Sequence, residues 1–245
     1  MSAARILIVD DDIDICANVS DILADLGYRT DVAHDAQSAL RMINHQTYDV
    51  ALVDFKMPGM DGATLYSEIR RRQPETVAIM ITAYAGSDGA QRALDAGTWR
   101  VLRKPLDFSQ LLPLIEQAIA QPLLLVVDDD TEFCENLWQI LRQAGYRVGI
   151  AHDPTVAKGH VNRRQFDIAL LDLRLSDNDG GEWVFREIGK TGSTTRVLLV
   201  TGFRSQMQPT IDALLESGAE GVYYKPLDVG ALLQKVNEML PSVHE

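Results

Sequence analysis

Aspartates, a threonine and a lysine recur along this chain at spacings where their side chains could act together. Asp10 and Asp11 form a pair, Asp54 stands alone, Thr82 follows an apolar run, and Lys104 precedes Pro105. The same set returns as Asp128 and Asp129, Asp172, Thr201, and Lys225 before Pro226. Three carboxylates gathered into one crevice repel, since two unit charges ~4 Å apart cost about 4 kcal/mol at an effective dielectric near ~20. Something positive must offset them. Lys104 or Lys225 supplies one charge and a divalent ion the remainder. Ligands that are all oxygen select a hard cation, and a small protein ligand set with room for water suits Mg²⁺ better than a closed calcium cage. A phosphoryl oxygen is the natural next ligand of such an ion.

Positioning these residues is the task of a repeat, and a long-period repeat settles architecture before any local reading. Val9, Asp10, Asp11 and Asp12 align with Val127, Asp128, Asp129 and Asp130. Gly27, Tyr28 and Arg29 align with Gly145, Tyr146 and Arg147, and Ala33, His34 and Asp35 with Ala151, His152 and Asp153. Asp61 and Gly62 fall on Asp179 and Gly180 in the same register. The spacing between copies then widens from Thr82 to Thr201 and again from Lys104 to Lys225, which puts the additional residues of the second copy after Gly180.

Each copy alternates short aliphatic runs with helix-length amphipathic segments. Strands are expected at residues 5–9, 29–33, 50–53, 77–81 and 99–102, and at 123–127, 147–151, 168–171, 196–200 and 221–224. The segment 13–26 carries apolar residues at helical spacing and stops at Gly27, a helix with its terminator. Strands apolar on both faces need helices on both faces of a mostly parallel sheet. The expected architecture is therefore α/β: two doubly wound, five-stranded parallel-sheet domains in tandem, flavodoxin-like with strand order 2-1-3-4-5, spanning 1–121 and 122–245. Ligands of such sheets collect beyond the carboxyl ends of the strands, where the aspartates, threonines and lysines fall.

Composition narrows the function. The 245 residues are 46% hydrophobic and 24% charged, a globular composition rather than a disordered one. A formal net charge of −12 repels a phosphate backbone and makes direct nucleic-acid binding a poor expectation. No apolar stretch approaches the roughly 18 residues needed to span a bilayer, so no membrane partner and a cytoplasmic location are expected. The two cysteines, Cys16 and Cys134, occupy equivalent positions and read as core thiols rather than a disulfide framework.

An aspartate pair after strand one, a lone aspartate after strand three, a threonine after strand four and Lys-Pro after strand five resemble the receiver domain of bacterial two-component response regulators, twice over. The run Asp54-Phe55-Lys56-Met57-Pro58-Gly59-Met60-Asp61-Gly62 is close to the family's most specific stretch, whereas Asp172-Leu173-Arg174-Leu175-Ser176 lacks the Met-Pro step. The resemblance implies that a sensor histidine kinase or phosphotransfer protein passes a phosphoryl group to Asp54 and Asp172. It implies that Asp10 and Asp11, or Asp128 and Asp129, hold Mg²⁺ with the acceptor carboxylate and the backbone carbonyl of Lys56 or Arg174. Lys104 and Lys225 would meet one phosphoryl oxygen, and the hydroxyls of Thr82 and Thr201 another, drawing the following loop inward. The aromatic residue that follows this motion in most receivers is replaced by Val101 and Val222, so coupling through that position should be weaker. Lys56 with Tyr84, and Arg174 with Phe203, would line the pocket mouths and slow loss of the phosphoryl group to water. With no output domain expected, signalling would run through protein–protein contact or phosphate buffering, with homodimerisation allowed. Two other readings stay open: an interaction scaffold with vestigial pockets, and a haloacid-dehalogenase-type phosphatase with its D-x-D motif in the run Asp10-Asp11-Asp12-Ile13-Asp14. The second leaves the repeated threonine and Lys-Pro without a role.

Overall fold

The strands that must carry the aspartates are the most deeply buried segments of the chain, and their side chains divide by alternation between two cores. In the computed structural model, which describes residues 3–83, 91–94, 96–175, 180–202 and 204–240, the chain divides into two units, Met1–Gln121 and Pro122–Glu245. The first unit runs β1 (Arg5–Val9), α1 (Ile13–Asp25), β2 (Arg29–Ala33), α2 (Ala36–His45), β3 (Val50–Asp54), α3 (Gly62–Arg72), β4 (Val77–Thr82), β5 (Arg100–Arg103) and α4 (Phe108–Ala120). Its strands are all parallel in the order β2-β1-β3-β4-β5. The second unit runs β6 (Leu123–Val127), α5 (Thr131–Gln143), β7 (Arg147–Ala151), α6 (Pro154–Arg163), β8 (Ile168–Asp172), α7 (Gly180–Lys190), β9 (Arg196–Thr201), α8 (Arg204–Glu216), β10 (Val222–Tyr224) and α9 (Val229–Met239). The corresponding parallel order is β7-β6-β8-β9-β10. The α/β class, the five parallel strands and the order 2-1-3-4-5 are those expected from the sequence.

Successive residues of a strand point to opposite faces, so a run of aliphatic side chains fills two cores at once. Leu7, Val9, Ala51 and Val53 pack with Ile43 of α2 and Leu65 of α3, whereas Ile6, Ile8, Val50 and Leu52 pack with Val19 of α1 and Ile115 of α4. The second sheet repeats the division. Leu125, Val127 and Leu171 join Val184 of α7 and Ile211 of α8, and Leu124, Val126 and Leu170 join Trp138 of α5 and Val236 of α9. Cys16 and Cys134 are buried in the α1 and α5 faces of these cores, as their positions predict.

Four strands extend one residue beyond their aliphatic runs. Asp54 pairs with Ile81, Asp172 with Val200, Thr82 with Arg103, and Tyr224 with Thr201, so the polar residues are still held by the ladder. The first helices are launched by the third residue of each aspartate triplet. Asp12 accepts from the N–H groups of Asp14 and Ile15, and Asp130 accepts from that of Phe133, which are N-caps.

The expected equivalence of Gly62 with Gly180 needs correction. A Cβ on Gly62 would lie 2.3 Å from the carbonyl oxygen of Asp54, and it is Gly181, not Gly180, whose Cβ would lie 2.3 Å from the carbonyl oxygen of Asp172. One of the residues gained by the second copy therefore precedes Gly181. The neighbouring Asp179 and Gly180 mimic the first copy in sequence while the packing constraint has moved on by one.

Backbone contact of this kind leaves no side chain to yield. Gly62→Ala and Gly181→Ala are each expected to destabilise their unit by ~1–3 kcal/mol, the usual range for overpacking. Gly159, inside α6 with nothing within 4 Å of its Cβ direction, should gain ~0.5–1 kcal/mol as alanine. Urea titrations of the three variants check both signs, and a Gly62→Ala midpoint equal to that of the parent would refute the close approach.

Candidate functional site

Adjacent parallel strands that end in register bring their last residues together. Val9 lies opposite Val53, so Asp10, one residue past β1, meets Asp54 at the end of β3. Asp10 is 2% exposed and Asp54 5%, while Asp11 faces solvent. One carboxylate oxygen from each of Asp10, Asp11 and Asp54 lies within 4.8 Å of the others. In the second unit Asp128, Asp129 and Asp172 form an equal group, with Asp128 and Asp172 buried and Asp129 exposed.

Lysine reaches each group from the far side of the sheet. The main-chain N–H of Lys104 donates to the carbonyl of Thr82 over 2.8 Å, and that of Lys225 to Thr201 over 3.0 Å, which fixes the loop after the fifth strand to the end of the fourth. Both Lys-Pro peptide bonds are cis. Lys104 Nζ lies 2.7 Å from Asp10 Oδ2 and 3.4 Å from Asp54 Oδ1. Lys225 Nζ lies 2.5 Å from Asp128 Oδ2 and 2.9 Å from Asp172 Oδ2. Thr82 and Thr201 are buried at the ends of β4 and β9, paired in the ladder with Arg103 and Tyr224, the residues that precede these lysines.

The remaining oxygens are tied to backbone. Asp10 Oδ1 accepts from the N–H of Asp12, Asp128 Oδ1 from that of Asp130, and Asp172 Oδ1 from that of Arg174. The N–H of Lys56 donates to Asp54 in the same way, and the side chains of Lys56 and Arg174 are exposed. Asp10 Oδ2 and Asp128 Oδ2 are different: each is buried beside its lysine but has no hydrogen bond of good geometry.

Burial, reinforced by the neighbouring carboxylates, pushes Asp54 and Asp128 above the usual carboxylate range, against the pull of Lys104 and Lys225. Burial alone would lower the lysines, but the carboxylates outweigh it and hold both ammonium groups above their ordinary values. Each site thus sets three carboxylates against one ammonium and leaves two negative charges uncompensated. An all-oxygen donor set, a charge deficit of two, and a buried carboxylate oxygen met only by the lysine ammonium fit a hard dication such as Mg²⁺.

Several neighbours were not singled out by sequence as parts of the site. The thiols of Cys16 and Cys134 donate to the carbonyls of Asp10 and Asp128 over 3.3 Å. Burial, with the adjacent aspartate, raises Cys16 to about 11 and Cys134 to about 12, so both stay protonated and are neither nucleophiles nor ligands. His34 and His152 are exposed but place Nδ1 at 3.4 and 3.1 Å from the same two carbonyls. Arg92 pairs with Asp61 at 2.5 Å and lies over the Phe55 ring, and Lys225 Nζ stands 4.3 Å from the centre of the Phe133 ring. Val101 and Val222 pack partly buried against the sheet cores. Tyr84 and Phe203 lie outside the described residues. Asp12, the third aspartate of the run, is engaged as the N-cap of α1.

A response regulator receiver protein of Anaeromyxobacter sp. strain Fw109-5 is 32% identical over 235 residues, covering 96% of this chain and 94% of that protein. The transcriptional regulatory protein ZraR of Escherichia coli K12 is 36% identical over 115 residues, which is 47% of this chain but 26% of that protein. Among solved structures, a receiver domain protein from Methanospirillum hungatei JF-1 covers 48% of this chain and 94% of its own, with 34% identity and a TM-score of 0.47. Residues 6–116 and again residues 124–237 match the response regulator receiver domain, and the chain belongs to that family as two receivers in tandem.

Proposed function

We propose that each receiver, 1–121 and 122–245, is a phosphoacceptor of two-component signalling, taking a phosphoryl group from a histidine kinase or phosphotransfer protein onto Asp54 or Asp172. The observation that carries this reading is the uncompensated double negative charge around a carboxylate at the end of the third strand of each sheet. Mg²⁺ bound by Asp10, Asp11, Asp54 and the Lys56 carbonyl, or by Asp128, Asp129, Asp172 and the Arg174 carbonyl, supplies charge neutralisation for the transferring group.

The chain's own residues supply the rest. A carboxylate oxygen of Asp54 attacks the phosphorus, the bond from phosphorus to the donor nitrogen breaks, and its electron pair leaves with the imidazole. The product is an acyl phosphate. Lys104 Nζ, already between Asp10 and Asp54, pairs with one phosphoryl oxygen, and the buried Thr82 hydroxyl donates to another. Lys225 and Thr201 play these parts around Asp172. Movement of Thr82 or Thr201 toward the new charge draws the loop after β4 or β9 inward and biases a surface between two states. Output runs through protein contact or phosphate buffering rather than nucleic acid, which the net charge of −12 disfavours. A cytoplasmic setting suits this role, and no described helix is long and apolar enough to cross a membrane.

Incubation with acetyl phosphate and Mg²⁺, read by intact mass, is expected to show up to two phosphoryl additions. Asp54→Asn and Asp172→Asn should each retain at most one, the double variant none, and chelation should abolish labelling. A chain inert at both sites would instead be a scaffold with vestigial pockets.

Stability offers an independent measurement. Mg²⁺ at ten times its dissociation constant should stabilise a receiver by about 1.4 kcal/mol, and the effect should fall when Asp10 or Asp128 becomes Asn. Because the folded-state pKa of Asp54 is raised, stability is lost as pH rises through it. Asp54→Asn should therefore raise the melting temperature in Mg²⁺-free buffer at neutral pH. The gain should vanish on acidification, once the parent carboxyl is protonated in folded and unfolded chains alike. A variant that melts below its parent at pH 7 would contradict the charge argument.

A further inference from the structure

The two acidic crevices carry the same five chemical groups, yet their lysines are held differently. Lys225 Nζ contacts both buried carboxylates closely, at 2.5 Å from Asp128 and 2.9 Å from Asp172, and lies 4.3 Å from the centre of the Phe133 ring. Lys104 Nζ makes one close contact, 2.7 Å to Asp10, and a looser one of 3.4 Å to Asp54. Among the described residues no ring faces Lys104, and the position equivalent to Phe133 is Ile15, fixed by the alignment of Cys16 with Cys134. Exposure does not account for the difference, since the lysine side chains are 20% and 22% exposed.

We propose that Phe133 is a positioning residue that clamps Lys225 between Asp128 and Asp172 and makes Asp172 the slower acceptor, so that the tandem receivers load in order with Asp54 first. The proposal rests on the phosphoacceptor reading above. At Asp172 both oxygens are engaged in the resting site, Oδ1 by the Arg174 N–H at 3.0 Å and Oδ2 by Lys225 at 2.9 Å. For a carboxylate oxygen to form its bond to phosphorus, as the donor's P–O bond breaks and acetate leaves with the electron pair, the ammonium must shift from that carboxylate toward a phosphoryl oxygen. A cation held over a ring face is attracted to it, and displacement gives up part of that attraction. Contacts stronger in the resting site than in the transition state slow the transfer. Lys104, with a weaker hold on Asp54 and an isoleucine at the position equivalent to Phe133, has less to give up.

The test uses the full chain with one acceptor left at a time, acetyl phosphate and Mg²⁺, and the initial rate of phosphoryl addition by intact mass. Asp172→Asn, which leaves Asp54, should label about three- to tenfold faster than Asp54→Asn, which leaves Asp172, the range expected for loss of one cation–π contact. In the Asp54→Asn background, Phe133→Ile should raise the Asp172 rate by a similar factor. Phe133→Tyr, which keeps the ring face, should leave it slow, a distinction that a merely structural role for the side chain would not produce. Should Phe133→Ile fail to fold, Ile15→Phe in the Asp172→Asn background puts the question in reverse, and slower labelling of Asp54 supports the clamp. Equal rates at the two acceptors, faster labelling of Asp172, or a Phe133→Tyr rate as high as that of Phe133→Ile would overturn the ordered loading while leaving both sites as acceptors. Absence of labelling at both sites would overturn the phosphoacceptor reading and the clamp with it.

Discussion

Like charges forced together in a crevice that buries two of its three carboxylates are the constraint on which both receivers are built. Asp10 and Asp54, and Asp128 and Asp172, are each 5% exposed or less, and a single ammonium stands between the members of each pair. Breaking a buried ion pair by removing one partner leaves an uncompensated charge and typically costs ~3–5 kcal/mol. The lysine is therefore a structural member of the resting site, beside the phosphoryl contact proposed for it. Its main-chain bond to the carbonyl of the threonine at the end of the fourth strand joins the two groups that would both turn toward an arriving negative charge. A fold relaxed around its aspartates would have nothing to gain from a dication. The charge left over in each crevice would give a dication its driving force for binding.

The surrounding architecture keeps that tension from being relieved. Fully buried parallel strands cannot slide, because a shift by one residue would exchange the contents of the two cores, placing Val53 where Leu52 packs. The carbonyl of Asp54 or Asp172 is pinned by an α-helix whose first turn approaches so closely that only glycine fits, at Gly62 in one copy and Gly181 in the other. On the opposite side, a buried thiol and a histidine ring both bond the carbonyl of the first aspartate. Asp12 and Asp130 hold the helix start in place by capping it, so three consecutive aspartates have three duties: a buried carboxylate, an exposed one and an N-cap.

Much of this was legible in the sequence because the chain states it twice. A lone Asp-Asp pair is a weak signal, but the pair, the later aspartate, the threonine and the Lys-Pro step recur in order after successive aliphatic runs, and strand ends are where an α/β sheet gathers chemistry. Three things were not legible, for different reasons. The edge strands β5 and β10 are short and only partly buried, so their aliphatic patterns blur and their starts fall one residue later than the hydrophobic runs suggest. Gly181 was hidden by Asp179 and Gly180, which copy Asp61 and Gly62 at the wrong register, because identity of residue type was read where closeness to a carbonyl was the constraint. Arg92 over Phe55, and Phe133 under Lys225, depend on side chains converging from separate elements, which no local periodicity encodes.

The two copies share their aspartates, threonine and lysine and differ in what touches them. Asp61 caps α3 and pairs with Arg92, whose guanidinium also faces the Phe55 ring next to Asp54, and the second copy has Leu173 beside Asp172 where the first has Phe55. The second copy instead has the Phe133 ring beside its lysine. Such changes leave the charges of the crevice untouched and alter only how firmly each group is held before anything binds. Duplicated sites that share their chemistry can separate in rate and timing by this route, since holding energy enters the barrier while the bonds made and broken stay the same. Differences between these receivers should accordingly be sought one contact away from the aspartates, in aromatic faces and caps, rather than in the aspartates themselves.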